Sequence, residues 1–157
     1  MKRALAILLL TSTACSGQPN FEIYGIRVYS HAGPDRAALK DGLDAWADAW
    51  AEWGGLSRRK AHEAYETLTS ISISPLELRE DGEPWGLYQP GRACIWTYWS
   101  DDECRLGWLV LFHELAHHFG GHHRGDYDGD HDDSAMWGLV RDATNAYAAQ
   151  HCAGGKS

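Results

Sequence analysis

RLGWLVLFHELAHHFGGHH, residues Arg105–His123, is the stretch whose reading decides the fold. From Leu106 to Phe112 it is apolar almost without a break, so a helix here leaves no side for water and is predicted to be buried. Its second half holds five of the chain's nine histidines. Imidazoles make poor core filler unless a partner satisfies them. His113 and His117 are four apart, on one helix face about a turn apart, and can reach one ion together. Glu114 projects beside that ion, placed to touch a bound water. Gly120 and Gly121 follow, and glycine tolerates the left-handed backbone that ends a helix. The chain can then turn back and bring His123 to the same ion, with His122 as the alternative third ligand. Three imidazoles with one open water position form a catalytic zinc arrangement, one Zn2+ per chain. A structural zinc site closes all four positions and favours Cys, which this stretch lacks.

Outward from this stretch, 157 residues suit one domain, and 44% apolar residues supply a core. The first residues stand apart. MKRALAILLLTSTACSG has two basic residues, an apolar run and then small residues, the order of a secretory signal. The run is too short to span a bilayer, which needs about 20 residues. A signal over residues 1–14 and one domain over 15–157 are therefore expected. Without Lys2 and Arg3, the 14 basic residues fall to 12 against 22 acidic ones. So acidic a chain excludes nucleic acid as a partner and disfavours anionic lipid surfaces.

NFEIYGIRVYSHA alternates and reads as one strand over about 21–30. A helix follows from Pro34 to the pair Gly54–Gly55, with Leu39, Leu43, Trp46, Trp50 and Trp53 on one face. That stripe is a core-facing seam or, alternatively, a carbohydrate platform. LSRRKAHEAYETLTS reads as a shorter helix. SISISPLELRE reads as a strand whose Pro75 argues for an edge or a bulge. DGEPWGLYQPG reads as loop and RACIWTYWS as a strand. HHRGDYDGDHDDSAMWG reads as loop, and LVRDATNAYAAQHC as a closing helix. Export implies an oxidising compartment. Cys94 and Cys104 flank a short segment and are the expected disulfide, although spacing does not fix connectivity.

His113, Glu114, His117, Gly120 and His123 fill every fixed position of HExxHxxGxxH, and the stretch resembles the signature of the metzincin zinc peptidases. The resemblance implies an α+β fold. In it a small mixed sheet packs on two helices, one of them the buried active-site helix, and a short C-terminal part ends in a helix. It implies a Met-turn under the metal, for which Met136 in SAMWG is the candidate. It implies hydrolysis of peptide bonds in a protein or peptide, with His113, His117 and His123 on zinc and Glu114 as general base. It also implies a strand along which an extended substrate lies, for which CIWTYW is the nearest candidate. The sequence departs from the pattern in several places. Three strands are read where the family usually has five, Arg124 follows the third histidine, and Gly138 stands where some members carry tyrosine. TSTAC resembles a lipoprotein cleavage motif. That implies a lipid on Cys15 and a chain held at a bacterial cell envelope, membrane contact coming only through this anchor; cleavage without lipid makes it secreted.

Other residues bear on the site. His118 points off the metal face and suits packing or a surface role. Tyr127 could donate to an oxyanion. Asp126, Asp128, Asp130 and Asp132 alternate, as Ca2+ ligands or as a solvated loop, and Asp132 or Asp133 could instead hold a ligating histidine. Two further functions stay open: a zinc amidase acting on cell-wall peptides, and a non-catalytic zinc-binding lipoprotein. Glu114 argues against the second, because metal storage needs no base beside the water.

Overall fold

The computed structural model describes residues 18–120 and 135–152. The N-terminal alternation forms two strands, β1 (Phe21–Ile23) and β2 (Ile26–Ser30), paired antiparallel. The turn between them is Tyr24–Gly25, both at positive φ (55° and 80°), as two-residue hairpin turns require. Tyr24 hides this turn from a sequence reading, since a β-branched or aromatic residue rarely takes that conformation. Its side chain is held by stacking on Tyr65 and by a hydrogen bond from its hydroxyl to Asp44.

Helix α1 (Arg36–Gly54) starts where the Asp35 side chain accepts from the Ala38 N–H at 2.8 Å, and it stops at Gly55, left-handed at φ 62°. Its stripe is a core seam at Leu39, Leu43 and Trp46, all at 0% exposure, and runs out to solvent at Trp53, 49% exposed. The expected shorter helix is a single turn, α2 (Arg58–His62), continued as a 3-10 segment over Glu63–Thr67.

Strand β3 (Ser70–Pro75) follows, then β4 (Gly86–Gln89) and β5 (Cys94–Trp99). The sheet order is β1-β2-β3-β5-β4. The three middle strands run parallel, and each outer strand is antiparallel to its neighbour. Thus Pro75 marks no edge. β3 is central, and the proline is its last residue, where a missing N–H interrupts little of the ladder. β4 lies inside the stretch read as loop. Bounding turns and half-buried residues gave this short edge strand no visible period. The α+β class and the mixed sheet hold, with five strands in the sheet among the described residues.

Val28, Ile71 and Ile95 stand in register on one side of the sheet and are fully buried. They share one core with Leu43 and Trp46 of α1 and with Trp108, Leu111, Phe112 and Leu115 of α3 (Cys104–His118). Gly42 of α1 admits the Trp108 indole, since a Cβ there would lie 2.2 Å from the ring. The closing helix α4 (Ala135–His151) packs on both α1 and α3.

The disulfide joins Cys104 to Cys152, with 5.7 Å between their Cα atoms, not Cys94 to Cys104. Cys94 opens β5 and Cys104 opens α3. The six residues of β5 carry the chain roughly 17 Å away from Cys94 before the turn that leads to Cys104. Cys94 is buried, its thiol 3.5 Å from the Gln89 side-chain oxygen. Among the described residues no helix is long and apolar enough to cross a membrane.

Candidate active site

α3 turns Trp108, Leu111, Phe112 and Leu115 into the core. Val110, His113, Glu114 and His117 fall on another side of it, spaced by three and four residues, toward β4 and the start of α4. The Nε2 atoms of His113 and His117 converge to 3.1 Å. Two imidazoles sharing a tetrahedral zinc at about 2.0–2.1 Å stand about 3.3 Å apart, so the pair fits two positions on one ion. The chemistry of the donors fits as well, since imidazole suits zinc. Among the described residues no group of three such ligands gathers. His123 and its alternative His122 lie outside them, as do Cys15, Arg124, Tyr127 and the aspartates from Asp126 to Asp133. α3 closes at Phe119, and Gly120 takes φ 103°, a positive φ of the kind that lets a glycine end a helix.

Glu114 is the one buried carboxylate among the described residues, 7% exposed. Burial pushes it up to about 7, partly offset by a hydrogen bond from the Tyr88 backbone N–H. A carboxyl poised there both takes and gives a proton near neutrality. Its closeness to β4 depends on Gly86. A Cβ at that position would lie 2.5 Å from Val110 Cγ1 and 3.1 Å from Glu114 Oε1.

β4, not β5, is the edge of the sheet: β5 is paired on both sides, by β3 and β4. CIWTYW therefore cannot be the rim for a substrate. The Tyr98 N–H bonds the Trp85 carbonyl at 3.1 Å, and Gly86 pairs with Thr97. Antiparallel alternation then turns the N–H and C=O of Gly86 and Tyr88 away from β5. The Tyr88 N–H meets Glu114, which leaves both Gly86 groups and the Tyr88 carbonyl on the outer edge.

The other side of the site is α4. Met136 is buried in its first turn, within the core, rather than in the expected loop. Trp137 stands edge-on to the His113 ring, with centroids 5.4 Å apart. Sequence reasoning missed Gly86, Tyr88 and Trp137. The first two lie in the unrecognised strand, and nothing in the order of residues ties Trp137 to His113. His118 packs, as expected, and burial holds its pKa below the usual histidine value.

The chain matches no family model, no curated protein and no solved structure.

Proposed function

We propose that this protein is a zinc-dependent metallopeptidase of metzincin type, exported to the cell envelope or beyond. The observation that carries it is the convergence of the His113 and His117 Nε2 atoms at 3.1 Å, with buried Glu114 beside them next to the edge strand of the described sheet. His113 and His117 would hold the ion, with His123 as the third ligand. Zinc bound there supplies Lewis-acid activation of a water and of the substrate carbonyl.

The chain's own groups do the rest. The Gly86 N–H and C=O receive an extended peptide as one more strand, which sets its direction along β4. The Glu114 carboxylate takes the proton of the attacking water and passes it to the leaving amine. Met136 gives an apolar floor, and Trp137 fixes the plane of the His113 ring. A storage site for zinc would need neither a buried carboxyl nor an open edge.

The test uses zinc-loaded protein beginning at residue 15 and a diverse peptide pool, read by mass spectrometry. New termini that appear with the wild type, and vanish with chelator or with Glu114→Gln, support the peptidase. A pool left uncut at one zinc per chain refutes it and turns attention to cell-wall peptide amides.

A further inference from the structure

Glu114 and His118 are four apart on α3, so they stand one above the other along the helix. One residue of β4 reaches both. The Tyr88 backbone N–H donates to the Glu114 carboxyl, and the Tyr88 hydroxyl lies 3.1 Å from His118 Nδ1. The other ring nitrogen of His118 is 2.8 Å from the Ala64 carbonyl. A carbonyl can only accept, so Nε2 carries the hydrogen and Nδ1 is the acceptor for Tyr88. Ala64 lies in the 3-10 segment Glu63–Thr67, and the Thr67 hydroxyl is 3.3 Å from the same Nε2. A chain of hydrogen bonds thus runs from the α2–β3 connection, across the last turn of α3, to the edge strand. The Tyr88 and His118 rings meet at 70°, with centroids 5.4 Å apart, which keeps both side chains in place.

β4 needs such a hold. It has only four residues and, among the described residues, a strand neighbour on one side alone. Gly86 lets it sink onto Val110 and Glu114, but a glycine fixes nothing by itself. We propose that Tyr88 and His118 form a clasp that sets the height of β4 over Glu114, which makes both of them positioning residues for hydrolysis. The clasp fixes the donor that orients the carboxylate, and with it the edge groups of Gly86 on which a peptide would lie. Its catalytic consequence rests on Glu114 acting as the base. The clasp itself does not.

The decisive variant is Tyr88→Phe, which removes one oxygen and keeps the ring. In zinc-loaded protein, the backbone amide at position 88 should exchange with solvent roughly five- to tenfold faster than in the wild type, read by NMR. His118→Leu should match it, and the two changes together should add little more. His118→Asn, which returns an acceptor near the place of Nδ1, should recover most of the protection. On a peptide that the wild type cuts, kcat should fall by a similar factor, KM should change less, and zinc content should stay the same. An unchanged amide in Tyr88→Phe overturns the clasp whatever the activity. A faster amide with unchanged kcat overturns its positioning role. If the wild type cuts no peptide, the peptidase reading falls, and the exchange comparison still decides the clasp.

Discussion

Gly86→Ala should damage both the fold and the site, by an amount the geometry sets. The added methyl lies 2.5 Å from Val110 Cγ1, and carbon atoms rest at about 3.5–4.0 Å. Relief therefore needs a displacement of about 1 Å between β4 and α3. Val110 belongs to a helix locked into the core on its other side, so the edge strand is what moves. Overpacking of this kind costs about 1–3 kcal/mol. At this chain length that lowers Tm by about 3–10 °C, read by circular dichroism. The same displacement takes the Tyr88 N–H out of hydrogen-bond range of Glu114, and a misplacement of about 1 Å at a reacting group can lower kcat on the order of 100-fold. Val110→Ala in the same chain removes the clashing methyl and should return part of the lost Tm, so the two changes should not add. A Gly86→Ala protein with wild-type Tm would refute the close approach of β4. A lowered Tm with unchanged kcat would refute the link between that strand and the base.

Three further outcomes follow from the structure. Cys104→Ser with Cys152→Ser opens a bridge that closes 48 residues of sequence; the chain-entropy loss is about 4 kcal/mol, so Tm should fall by about 8–16 °C, while mapping of the unreduced wild type should return Cys104 joined to Cys152. Gly42→Ala puts a methyl 2.2 Å from a rigid indole and should cost about 2–3 kcal/mol in urea unfolding; a neutral substitution would contradict the α1–α3 contact. Burial raises Glu114 from 4.5 to about 7, so the zinc-free folded chain keeps a proton that the unfolded chain releases. Stability from this group is then full below about pH 4.5 and falls by about 3 kcal/mol as pH rises to 7. Subtracting the stability of Glu114→Gln at each pH isolates the effect, and a difference that does not change with pH would contradict the burial.

The buried helix and its histidines were legible because one stretch carries two signals at once, an unbroken apolar run and ligands spaced by a helical turn. The seam of α1 was legible through Leu39, Leu43 and Trp46 for the same reason of period. Three features were not. Tyr24 takes a left-handed turn that its side chain disfavours, held by Tyr65 and Asp44, contacts made across the fold. β4 is short, and its alternate residues face α3 at Gly86 and Tyr88, so no apolar period marks it. The Cys104–Cys152 bridge depends on α4 running back along α3 to the start of that helix, which local spacing does not carry. The site followed the same division. His113, Glu114 and His117 come from one helix and could be read together. The edge strand beside them comes from elsewhere in the chain, and CIWTYW does not form that edge because β5 lies inside the sheet.

The most direct measurement is kcat/KM for the wild type and Glu114→Gln, on one peptide, at equal and confirmed zinc content. Zinc content should stay unchanged and the rate should fall on the order of 100- to 10,000-fold, because the amide keeps the shape of the side chain but cannot take the proton. Equal rates at equal zinc would contradict the role of Glu114 and, with it, the peptidase mechanism built on this helix.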